Sequence, residues 1–93
     1  MNKKITGLLK KLGLLDEEVE RCFTICPGLE FLDIVKAKDC LIALVKMGYP
    51  KEDLGLLIAA NPSVLLFNPT DLEVKLKSLG DVSETLKADP FII

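Results

Sequence analysis

Two stretches, LGLLDEEVERCFTICPGL (Leu12–Leu29) and MGYPKEDLGLLIAANPSVLL (Met47–Leu66), carry one pattern. A large apolar residue precedes a glycine, an acidic turn follows, then an apolar run at helical spacing, then a proline with Leu or Val beyond it. Gly13 and Gly48 are 35 residues apart, and so are Pro27 and Pro62, so the two copies align without gaps. At that offset Lys3 meets Lys38, Leu9 meets Leu44, Lys11 meets Lys46, Glu17 meets Glu52, Val19 meets Leu54 and Leu29 meets Val64. Such self-similarity is the mark of repeated supersecondary units. A third copy, LGDVSETLKADPFI (Leu79–Ile92), is shorter. Gly48 to Gly80 is 32 residues and Pro62 to Pro90 is 28, so its second helix has lost about one turn.

Working outward, each copy reads as a helix pair. In the middle copy Ala37, Cys40, Leu41, Leu44 and Met47 recur at helical spacing, which predicts a first helix over Lys36–Met47. Gly48 suits a helix C-terminus, Pro50 a first helical position, and Pro62 forbids continuation of a second helix past about Ala60. That second helix is apolar nearly all round, as a buried helix is, whereas its counterpart after Leu15 has a single stripe of Val19, Cys22, Phe23 and Cys26. A stack with a covered middle and wet ends requires this order. Thr70–Glu73 and Asp81–Glu84 have capping-box spacing. The alternation in Leu72–Ser78 also fits a strand, but Leu72, Leu76 and Leu79 fit a helix and the sister copies decide. The expected fold is all-α: a right- or left-handed, solenoid-like helical-repeat array of about two and a half helix-pair units, 1–34, 35–69 and 70–93, forming one domain.

Composition agrees and removes whole classes of function. The chain has 93 residues, enough for one self-sufficient core, and 49% of them are apolar, which excludes a disordered chain. Aromatics make up 5% and there is no Trp, so the core must be aliphatic. There is no His, which removes the usual general base and the usual metal ligand together. Three cysteines, Cys22, Cys26 and Cys40, are an odd, low count that points to a reducing, cytoplasmic-type compartment rather than a disulfide framework. Ile5–Leu9 is too short for a signal-peptide core, and the apolar-rich Leu54–Phe67 contains Asn61 and Pro62, so no membrane span is expected. The basic, acid-free Met1–Leu15 has some character of an organellar leader, which leaves an organellar matrix open, but it is in register with the repeat.

The three quoted copies together resemble the repeats of the mitochondrial transcription termination factor (mTERF) family, and the resemblance spans essentially the whole chain. It implies a curved, all-helical solenoid and nucleic-acid binding through basic side chains. The chain has far fewer units than typical members and one arginine, Arg21.

No motif carries catalysis. Cys22 and Cys26 share a helix face, but a zinc site needs two further ligands and only Cys40 remains, so they read as core residues. Glu17–Glu18 and Glu52–Asp53 stand in first turns, where the helix dipole favours carboxylates, and adjacent residues diverge by about 100° on a helix. The glycines form no phosphate-binding loop. Gly55, inside a helix, is unfavourable by about 1 kcal/mol against Ala, which a close helix–helix approach would explain. No enzyme activity, cofactor, metal or small-molecule substrate is expected.

The charges segregate. First helices, taken as 2–12, 36–47 and 70–79, carry Lys3, Lys4, Lys10, Lys11, Lys36, Lys38, Lys46, Lys75 and Lys77 against Asp39, Asp71 and Glu73. Second helices carry the acids. In a stacked array this makes one basic and one acidic side. Two binding modes follow. A nucleic-acid interface would use the lysine layer, with Lys3, Lys10, Lys11, Lys38, Lys46 and Lys77 as its residues. A protein-interaction or self-association surface would use apolar residues at the array end: Val82, Leu86, Phe91, Ile92 and Ile93.

Overall fold

The computed structural model describes residues 1–93 and is all-helical, with six α-helices and no strand. The helices are α1 (Lys3–Lys11), α2 (Asp16–Ile25), α3 (Ile34–Lys46), α4 (Leu54–Ala60), α5 (Pro69–Lys77) and α6 (Val82–Ala88). Three 3-10 helices intervene: Pro27–Phe31, Lys51–Asp53 and Pro62–Leu66.

Local chemistry sets the boundaries. Gly13, Gly48 and Gly80 have φ of 101°, 107° and 73°, a left-handed backbone that other residues rarely adopt. After α1 the Leu14 N–H donates to the Leu9 carbonyl, and after α3 the Tyr49 N–H donates to the Leu44 carbonyl, so the same Schellman-type closure ends both helices. The residues before the prolines, Cys26, Asn61 and Asp89, share a backbone of φ −135°, −138° and −145° with ψ between 74° and 95°. Proline's ring pushes its predecessor out of the helical region, so α2, α4 and α6 stop in one way.

Several elements differ from the sequence reading. α3 starts two residues earlier than expected, after Asp33. The cap of α5 is Asn68, whose side chain accepts from the Thr70 and Asp71 N–H groups, because Pro69 takes the first helical position and leaves Thr70 inside the helix. Asp81 caps α6 as expected, accepting from the Glu84 N–H at 2.9 Å. The segments after Pro27 and Pro62 are 3-10 helices, not plain connections. The turn missing from the third copy lies ahead of α6, where nothing corresponds to Lys51–Asp53.

α1 adjoins α3, α3 adjoins α5, α2 packs on α4, and the 3-10 helices Pro27–Phe31 and Pro62–Leu66 touch each other. The molecule measures 35 × 22 × 20 Å. One aliphatic cluster fills it, and buried positions recur at the 35-residue offset: Ile5 and Cys40, Leu9 and Leu44, Leu14 and Tyr49, Val19 and Leu54, Cys22 and Leu57, Leu29 and Val64. α4 is not buried all round as expected. Leu54, Leu57, Ile58 and Ala59 are inside, but Leu56 is 72% exposed, because no helix covers that side. Gly55 does meet a close neighbour, the backbone of Leu12.

Cross-connections are few and specific. Arg21 donates to the Ala59 carbonyl at 2.7 Å, satisfying one of the free carbonyls at the end of α4, so the one arginine has a structural role. Asn61, buried, donates to the Pro90 carbonyl at 2.9 Å and accepts from the Ser63 hydroxyl. Asn2 donates to the carbonyls of Glu30 (3.1 Å) and Leu32 (3.2 Å), while the Cys40 thiol donates to Leu65 (3.8 Å) and Phe67 (3.2 Å). Those two carbonyl pairs are equivalent at the 35-residue offset, and each is met by a different donor.

Candidate functional site

A trough runs along the outer seam between α1 and α3. Asn2 caps α1 by accepting from the Lys4 and Ile5 N–H groups, which fixes where the helix starts and hence which residues share a face. Lys3, Lys4, Gly7, Leu8 and Lys11 then line one wall, and Ile34 and Lys38 of α3 line the other, around about 380 Å³. Four ammonium groups border this half and no carboxylate does. Further along, the trough becomes apolar: Leu12, Leu41, Ile42, Val45 and Leu54 enclose about 700 Å³, with Lys38, Lys46 and Lys51 at the rim. A side depression joining the two at Lys11 and Leu12 brings in Glu52.

All six candidate lysines are exposed, but they do not form one patch. Lys3, Lys11, Lys38 and Lys46 border the trough. Lys10 projects toward the α1–α2 turn and pairs with Asp16 at 2.7 Å. Seven residues from Lys3, it lies on the same side of α1, but at the helix end its ammonium is held by Asp16 and lines no part of the trough. Lys77, at the end of α5, lines no part of it, because α3 stands between α5 and α1. Lys46 shares its charge with Glu73 of α5 at 2.9 Å.

The trough also holds two lysines absent from the candidate set. Lys4 is one α-helical turn from Gly7, so the wall's spacing reveals it. Lys51 belongs by sequence to the acidic second helix, but it lies in the 3-10 turn beside α3. Lys75, by contrast, sits over the Phe67 ring, 5.8 Å from its centre.

At the other end, the apolar candidates divide. Val82 and Leu86 are buried, 4% and 1% exposed, because the spacing of four that aligns them on α6 turns both inward. Leu86 is therefore a core residue, with no surface for a partner. Phe91 and Ile92 are 67% and 48% exposed, and Ile93 is half-buried against the core beside Ile25 and Cys26.

The thiols are buried. Burial pushes the Cys22 and Cys26 thiols up, and with the nearby Asp39 carboxylate it pushes Cys40 up to about 11, so all three stay protonated at neutral pH. No three Cys, Asp or Glu side chains converge into a set that could hold a metal ion. No helix is long and apolar enough to cross a membrane. Compared with protein-family models, curated proteins and solved structures, the chain has no match.

Proposed function

We propose that this chain is a non-catalytic, solenoid-like binding module built from mTERF-like helix pairs, and that it holds nucleic acid by phosphate contacts from the α1–α3 trough. The repeat part of this reading is supported by the glycine closures, the shared backbone before each proline and the 35-residue recurrence of buried positions. The binding part rests on one observation: Lys3, Lys4, Lys11 and Lys38 converge on one groove with no carboxylate in its lining. Lysines approach phosphate as point charges and read bases poorly, so binding is sequence-tolerant.

The test is retention of labelled duplex DNA at about 20 mM salt, followed through a salt titration. Four phosphate contacts give a log–log salt slope of about −3.6. Reversing Lys3, Lys11 and Lys38 to Glu abolishes retention with little change in melting temperature, because these side chains are exposed. Reversing Lys77 alone changes it little. No retention by the unaltered protein at low salt, or equal loss from both sets, refutes the phosphate-binding reading. A second reading, self-association through the exposed Phe91 and Ile92, predicts a concentration-dependent dimer that is lost on removing residues 91–93.

A further inference from the structure

The phosphate-binding reading leaves the larger half of the trough unused. Phosphate gains nothing from Leu12, Leu41, Ile42, Val45 and Leu54, and no aromatic ring lines this half to stack a base. Ile42 is 62% exposed and Val45 41%, on the outer face of the longest helix, so water covers an apolar floor of about 700 Å³. Lys38, Lys46 and Lys51 ring this floor, whose own lining holds no acid; Lys46 also pairs with Glu73 of α5 at 2.9 Å, and Glu52 lies in the adjoining depression beside Lys51.

A second observation concerns Gly7. Both Gly7 and Gly55 lie inside helices, where glycine is unfavourable by about 1 kcal/mol relative to Ala. Gly55 has an internal reason, since a Cβ there would strike the Leu12 backbone. Gly7 has none within the molecule: a Cβ would meet nothing within 4 Å. Its bare backbone faces the trough. A glycine there allows another backbone to lie close against α1.

We propose that the α1–α3 trough docks an amphipathic helix of a partner protein, with its apolar stripe on Ile42, Val45 and Leu54 and carboxylates along its flanks facing Lys38, Lys46 and Lys51. A helix laid in a groove presents anchors at i, i+3, i+4 and i+7, which suits an open, elongated apolar floor. The lysine rim selects an acidic helix over a basic one, and where the helix runs on past Lys38 into the basic half, Gly7 lets its backbone approach. This goes beyond phosphate binding: Ile42, Val45 and Leu54 line only the apolar half, while Lys38 borders both halves.

The test titrates isotope-labelled protein with a short synthetic peptide that has leucines at i, i+3, i+4 and i+7 and glutamates between them. Controls are the same composition in scrambled order, the same peptide with lysines for glutamates, and lauric acid. The acidic amphipathic peptide is expected to shift the amide resonances of Ile42, Val45 and Leu54. Ile42→Gln with Val45→Gln is expected to weaken it at least about tenfold. Both side chains are exposed, so the variant folds, and its duplex DNA retention stays at the level of the unaltered protein. Reversing Lys38, Lys46 and Lys51 to Glu is expected to exchange the preference to the lysine peptide. Gly7→Leu is expected to reduce peptide affinity while raising the melting temperature. Equal binding of the scrambled peptide, saturation of the same amides by lauric acid alone, peptide affinity indifferent to Ile42→Gln with Val45→Gln, or no amide shift at millimolar peptide each overturns the proposal.

Discussion

Gly55 lies against the carbonyl of Leu12 so closely that an added Cβ would overlap the oxygen and come within 3.1 Å of the carbonyl carbon. The contact joins the first turn of α4 to the end of α1, between residues 43 positions apart in the chain. Backbone cannot yield there as a side chain tip can. Gly55→Ala is therefore expected to destabilise the fold by about 3 kcal/mol, at the upper end for overpacking. Gly7→Ala, with open space around it, is expected to stabilise by about 1 kcal/mol. Paired thermal melts check both, at about 4–8 °C per kcal/mol in a chain of this size. Equal effects from the two substitutions would contradict the close approach.

Asn2 does two jobs. It caps α1 and it meets the Glu30 and Leu32 carbonyls. Asn2→Ala is expected to lose about 2 kcal/mol, about half for the cap and half for the carbonyls. Asn2→Asp keeps the cap acceptor but turns an acceptor oxygen toward those two carbonyls, so it should lose at least the carbonyl half, about 1 kcal/mol, in a urea titration.

Asn61 is the one buried polar side chain, and it ties the end of α4 to Pro90. Asn61→Leu leaves the Pro90 carbonyl and the Ser63 hydroxyl without this partner. A loss of about 2 kcal/mol is expected, together with faster amide exchange confined to residues 88–93.

Alkaline pH is expected to destabilise the molecule. Burial raises the thiol of Cys40 from 9.0 to about 11, and the thiols of Cys22 and Cys26 and the Tyr49 phenol shift the same way for the same first cause. A raised acid holds its proton longer folded than unfolded. The stability it contributes is full below the unfolded value and is lost as pH rises through the folded one. For Cys40 the window runs from about pH 9 to about pH 11, with a slope of up to about 1.4 kcal/mol per pH unit. Urea midpoints of Cys40→Ala across that window should fall less steeply than those of the native chain, whatever its stability at neutral pH.

The helices and where they stop were legible in the sequence because they depend on neighbours in the chain, whereas the start of α3 and the cap of α5 were not. Glycine's freedom at Gly13, Gly48 and Gly80, proline's restriction of Cys26, Asn61 and Asp89, and apolar residues at helical spacing act within a few residues. The repeat matched Leu9 with Leu44, Val19 with Leu54 and Leu29 with Val64, and all six are buried. What sequence could not order was the surface. Lys10 and Lys11 are adjacent in the chain, yet Asp16 takes the first and the trough takes the second. Lys51 joins an acidic helix in sequence and a basic rim in space. Leu86 and Phe91 look equally available as text, but α6 turns Leu86 inward and leaves Phe91 in water. Periodicity fixes which side of a helix is apolar. Only the packing of one helix against another decides which charges meet, where a seam stays open and which glycine has a backbone beside it, because those depend on distances between segments far apart in the chain.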